Sequence, residues 1–166
     1  MSVKFNGTSL TSVKFIDKGI ATTLDKVIFN GVTVFENWQK KTGKLGNMNE
    51  VGTYSGTSSS VALSKKISFG KTVRFSKISV RTKVVRSDIE GRLNGQVKIY
   101  GVKSNGASVL VATVNNQWST SVVSSSSTSD EFVAVRYDCY VMDDIARSHS
   151  YEFECAIVEW YEKGGK

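Results

Sequence analysis

From residue 61 to its end the chain alternates apolar and polar side chains with a period of two, and no stretch carries the 3.6-residue period of a long helix. Successive side chains of a strand point to opposite faces, so this pattern suits half-buried strands and little else. Between Lys77 and Val84 the residues Ile78, Val80, Thr82 and Val84 share one face. Gln96 to Val102 and Ser108 to Val114 flank Lys103-Ser104-Asn105-Gly106-Ala107, whose Asn-Gly pair suits the positive φ angles of a type I′ hairpin turn. The serine-rich run Ser119 to Ser129 reads as a weak exposed strand and loop. Two long strands close the chain, one with Val133, Val135, Tyr137, Cys139 and Val141 on a face, the other with Tyr151, Phe153, Cys155 and Ile157. Between them Asp143-Asp144-Ile145-Ala146-Arg147 reads as one turn of helix. Repeated strands with polar turns predict an all-β fold, specifically a β-sandwich.

The opening of the chain repeats itself. Val3-Lys4-Phe5-Asn6-Gly7-Thr8-Ser9-Leu10 aligns with Val27-Ile28-Phe29-Asn30-Gly31-Val32-Thr33-Val34, two β-prone runs around Asn-Gly in each copy. Residues 1–36 therefore read as two small hairpins, ending at Phe35-Glu36-Asn37-Trp38. Hairpins of this size bury little and need another surface to pack on. Residues 39–60 are rich in Gly, Ser, Lys and Asn without a sustained period, and read as a linker or surface loop.

A chain of 166 residues at 40% hydrophobic content suits one domain with a small appendage. No run approaches the roughly 18 apolar residues of a membrane-spanning helix, so no membrane insertion is expected. The start MSVKFNGTSL lacks the form of a signal peptide, which predicts synthesis in the cytoplasm. Charge is uneven: residues 1–86 hold 15 Lys/Arg and 4 Asp/Glu, residues 88–166 hold 7 and 11. Blocks of opposite sign suit contact between subunits or attraction to an anionic polymer, and a homo-oligomer is expected. The basic run Lys65, Lys66, Lys71, Arg74, Lys77, Arg81, Lys83 and Arg86 lacks interleaved aromatic rings, so no nucleic-acid partner is expected; a solvated face, or one meeting an acidic neighbour, fits better.

Catalytic chemistry finds no constellation. The single histidine, His149, has no nucleophile motif beside it and reads as a surface residue, and Gly52-Thr53-Tyr54-Ser55-Gly56 misses the G-x-S-x-G frame by one place. The acidic pairs Asp88 with Glu90, Asp130 with Glu131 and Asp143 with Asp144 lie at turns, where acids are expected without a role in hydrolysis. Asp88, Glu90 and Asp138 lack a calcium-loop spacing, and Cys139 with Cys155 lack a zinc spacing, so no metal or cofactor is expected. Strand parity turns both cysteines inward as buried thiols, with a disulfide as the alternative if their strands pair. The rings placed to stack on a sugar are Tyr54, Tyr100 and Trp118, with Asn115, Asn116 and Gln117 beside Trp118 to bond hydroxyls; packing in the core or at its rim is the competing role.

Two resemblances bear on these residues. KVIFNGVTVFENW resembles a short hairpin module in structural proteins of tailed bacteriophages and prophages. Phe75-Ser76-Lys77-Ile78-Ser79-Val80, Gly95 to Gly101 and Val133-Ala134-Val135-Arg136-Tyr137 resemble the strand succession of galactose-binding-like jelly rolls, including discoidin-type modules. Together they imply a hairpin assembly module at 1–38, the linker at 39–60 and a jelly-roll domain at 61–166. The role they imply is non-enzymatic: a phage virion protein of the tail, baseplate or fibre, made in the host cytoplasm, assembling with other virion proteins and touching host-surface glycan. A capsid-decorating or head-fibre protein and a free carbohydrate-binding module are the alternatives.

Overall fold

The computed structural model describes residues 37–57, 60–86, 93–143 and 147–163 in full, and strands alone at residue 92 and within 4–36. Among the described residues the fold is all-β, with no helix. Two compact units divide the chain, residues 1–40 with 161–166 and residues 41–160.

The first unit holds three antiparallel hairpins. β1 (Lys4–Phe5) pairs with β2 (Thr8–Ser9), β3 (Val13–Asp17) with β4 (Ile20–Leu24), and β5 (Lys26–Phe29) with β6 (Val32–Glu36). Each pair is a separate two-stranded sheet. Two hairpins were expected; the third, β3–β4, has no Asn-Gly pair to announce it. The turn residues of the two Asn-Gly copies lie outside the described residues, as do the Asp144-Ile145-Ala146 part of the expected helical turn and the acids Asp88 and Glu90.

The second unit is built on one antiparallel sheet of seven strands: β7 (Trp38–Gly56), β8 (Leu63–Arg86), β9 (Arg92–Val102), β10 (Ser108–Asn115), β11 (Ser121–Ser124), β12 (Phe132–Met142) and β13 (Arg147–Lys163). The path runs β10-β9-β12-β8-β13-β7, with β11 also on β8. The 24-residue β8 folds this sheet over. Its first half, Leu63 to Val73, pairs with β12; its second half pairs with β11 through Lys77 to Val80 and with β9 at Val84 and Val85. Because β12 also pairs with β9, the three strands close on themselves. The inward residues of β8 are Val73 and Phe75, then Ile78, Val80, Thr82 and Val84. That change of parity requires one extra residue at Ser76-Lys77, a bulge where the strand passes from one layer to the other. The result is the expected β-sandwich of jelly-roll type.

Both layers feed one core. Phe75 and Phe132 lie with ring centroids 4.8 Å apart, and Val97, Ile99, Tyr137, Phe153, Cys155 and Ile157 join them. Burying each large side chain stabilises the fold by roughly 1.5–3 kcal/mol. Tyr137 is fully buried and donates its hydroxyl to the Gly46 carbonyl at 2.9 Å, which satisfies its one polar atom.

Residues 38–56 correct the sequence expectation of a linker at 39–60: they form a 19-residue strand on the edge of the sheet. An edge strand packs one face only, so its composition stays polar. Gly46 has φ +59°, and a Cβ there would stand 2.7 Å from Val135 Cγ1. The glycine that suggested a loop is what lets β7 approach the core.

Candidate functional site

The outer face of the layer formed by the first half of β8 with β12, β9 and β10 gathers the densest set of functional groups. Inward Val97 and Ile99 place Gln96, Lys98 and Tyr100 outward on β9, and inward Tyr137 and Cys139 place Arg136 and Tyr140 outward on β12. The register then builds rows across the strands. Lys66, Arg136, Tyr100 and Leu110 stand side by side, the last 46% exposed. Ser64, Asp138, Lys98 and Thr113 form the next row, and Tyr140, Gln96 and Asn115 the third.

Two cations in these rows lie on rings. The Arg136 guanidinium is 4.3 Å from the Tyr100 centroid and Lys98 Nζ is 4.9 Å from the Tyr140 centroid. Arg136 also places Nη2 3.3 Å from Asp138 Oδ2 and Nη1 3.5 Å from Ser108 Oγ, while its buried Nε has no hydrogen-bond partner among the described residues. Asp138 accepts a 2.6 Å bond from Ser64 Oγ, and the Gln96 amide donates to Asn115 Oδ1 at 2.9 Å.

The six residues proposed for sugar contact do not form one site. Tyr100 and Asn115 stand on the face just described, Tyr100 beneath Arg136. Trp118 is half-buried and donates Nε1–H to the Leu93 carbonyl at 3.3 Å. Gln117 is tied by its backbone: its N–H donates to Thr82 Oγ1 at 2.8 Å and its carbonyl accepts the Thr82 N–H at 2.6 Å. Asn116 is exposed with φ +57° and donates its N–H to the Gly95 carbonyl at 2.8 Å. Tyr54 stands on the edge strand β7. The sequence singled out Tyr100 and Asn115 but missed Lys98, Arg136, Tyr140 and Gln96. Strand parity was the available signal for them, since all lie opposite the inward residues of their strands.

Much of the basic run is paired within the fold. On the other layer Arg81 pairs with Glu152 and with Glu154, Lys83 Nζ is 3.7 Å from Glu152 and Lys77 Nζ 3.7 Å from Glu159. Arg74 meets Glu131 at 2.9 Å and Lys65 pairs with Glu50. For Lys77, Arg81 and Lys83 the acidic neighbour foreseen is β13 of the same chain. Part of the charge asymmetry that suggested contact between subunits is thus answered inside the fold, at Lys65, Arg74, Lys77, Arg81 and Lys83.

His149 is not the surface residue expected; it is fully buried. Nδ1 lies 3.3 Å from the Tyr54 carbonyl and Nε2 lies 3.0 Å from Asp143 Oδ2. The ring ties β13 to the edge strand β7 and to the residue after β12. Cys139 and Cys155 are free and buried, as strand parity predicted. Burial pushes both thiols well above their ordinary range, with the neighbouring Cys155 adding to the effect at Cys139 and Glu154 at Cys155.

No protein-family model matches the chain, and no curated protein does. Among solved structures, the Gx strain of infectious bursal disease virus aligns with 100% of this chain and 42% of its own, at TM-score 0.41 and 11% identity. The Gt strain aligns over 92% and 36%, at TM-score 0.40 and 12% identity. The VP2 subviral particle of that virus aligns over 100% and 42%, at TM-score 0.36 and 12% identity. The chain spans less than half the length of these solved chains.

Proposed function

We propose that this chain is a non-enzymatic structural protein of a virion, in the tail, baseplate or fibre apparatus of a tailed bacteriophage. The observation that carries the proposal is the run of three hairpins within residues 4–36, each a two-stranded sheet of its own. A two-stranded hairpin is marginal in water, so three in succession call for a surface that covers them. A neighbouring virion subunit, a second copy or another protein, supplies that surface, and the sandwich is the body it joins. The resemblance of residues 26–38 to a phage hairpin module points the same way.

Mass spectrometry of gradient-purified particles, with immunogold labelling of the intact ones, tests the proposal. The expected result is the protein in the particles with label at the tail end. Label on the head would replace the tail assignment with capsid decoration. Absence from purified particles would overturn the virion role.

A further inference from the structure

We propose that the outer face of the β8–β12–β9–β10 layer binds an acidic polysaccharide, with Lys66, Lys98 and Arg136 holding its carboxylate or sulfate groups. This goes beyond the virion assignment and stands without it.

On the other layer Lys77, Arg81 and Lys83 each meet a glutamate, and Lys103 meets Asp130 at 3.0 Å. On this face Lys98 lies instead on a tyrosine ring, and Arg136 lies on another while also meeting Asp138 at 3.3 Å. A ring orients a cation without cancelling its charge, so the positive field of the face survives. Three cations share these rows with one carboxylate, Asp138, whose oxygens already face Ser64 and Arg136. Held on rings, both cations are fixed before a ligand arrives, which lowers the ordering cost of binding.

The neighbouring groups decide the class of anion. Gln96 and Asn115 offer amides and Thr113 a hydroxyl, the donors and acceptors that sugar hydroxyls require. Tyr100 and Tyr140 lie about 14 Å apart by strand geometry, so a ligand that uses both ends of the face is an extended chain. A nucleic acid would need exposed ring faces for its bases, and here each ring carries a cation.

Affinity electrophoresis of the full chain through gels containing alginate, chondroitin sulfate or neutral dextran tests this. Retardation by both acidic polymers, absent with dextran and fading as salt is raised, is the expected result. Lys98→Gln and Lys66→Gln should each weaken retention about fivefold, while Lys77→Gln on the opposite layer leaves it unchanged. No retardation by either acidic polymer would overturn the proposal. So would equal weakening by Lys77→Gln, which would reduce the effect to net charge. Tighter binding of an oligo-dT strand or of polyglutamate at the same salt would assign the face to another class of ligand.

Discussion

Replacing His149 by alanine should destabilise the protein by about 3–5 kcal/mol. The ring has no solvent exposure, so its removal leaves a void that β13, fixed in the middle of the sheet path between β8 and β7, cannot collapse to fill. That part alone costs about 2 kcal/mol or more. The polar part follows from the two bonds. The Tyr54 carbonyl loses its Nδ1 partner at 3.3 Å, and Asp143 loses its Nε2 partner at 3.0 Å, which together cost about 1–3 kcal/mol. For a chain of this size the sum corresponds to a melting temperature roughly 6–20 °C lower. Urea unfolding of wild type, His149→Ala, Asp143→Asn and the double variant separates the terms. The cycle should give a coupling of about 1–2 kcal/mol between the two side chains. A loss below about 1 kcal/mol for His149→Ala would refute the buried placement, and additive single variants would refute the pair.

Three further outcomes follow from other parts of the fold. Cys139 and Cys155, buried and with raised thiol pKa values, should resist maleimide in the native state and react within minutes once denatured; fast labelling of the folded protein would contradict their position. Trp118→Ala should cost about 1–3 kcal/mol by thermal melting, since the half-buried ring and its bond to Leu93 are both lost; an unchanged melting temperature would make the ring a free surface group. Asp130 has its pKa lowered by the Ser127 hydroxyl first and Lys103 second, so its contribution is present above the ordinary value of 3.8 and lost as pH falls through the lower folded value. Asp130→Asn should therefore cost no more than about 1 kcal/mol at neutral pH, with the difference from wild type closing in strong acid; a difference that persists there would reverse the sign of the linkage.

Strand parity carried most of what the sequence revealed. It placed Ile78, Val80, Thr82 and Val84 inward, and likewise Cys139 and Cys155, because a period of two is a local property of the chain. The same parity joins His149 to Tyr151, Phe153, Cys155 and Ile157, so its burial was legible; its polarity outweighed its position. β7 was hidden for a physical reason. Its glycines and lysines describe a strand with one packed face and an open edge, and such a strand has the composition of a loop. β3–β4 was hidden because hairpin signals reside in turns, and only two of the three turns have Asn-Gly.

Charge shows where local reasoning stops. The basic half and the acidic half were visible as counts, and counts favour contact between molecules as readily as within one. What decides between them is that β13 lies beside the second half of β8, which brings Glu152 and Glu154 to Arg81 across more than 70 residues of chain. Once that ladder is closed, the cations that matter for a ligand, beside Lys66, are not those densest in sequence. They are Lys98 and Arg136, from sparsely charged strands, which the fold sets on tyrosines, with Arg136 also reaching the one carboxylate of the face, Asp138. A carboxylate against Lys98 would have lowered the potential of that face further, whereas the ring preserves it, and this difference separates a structural cation from one available to a partner.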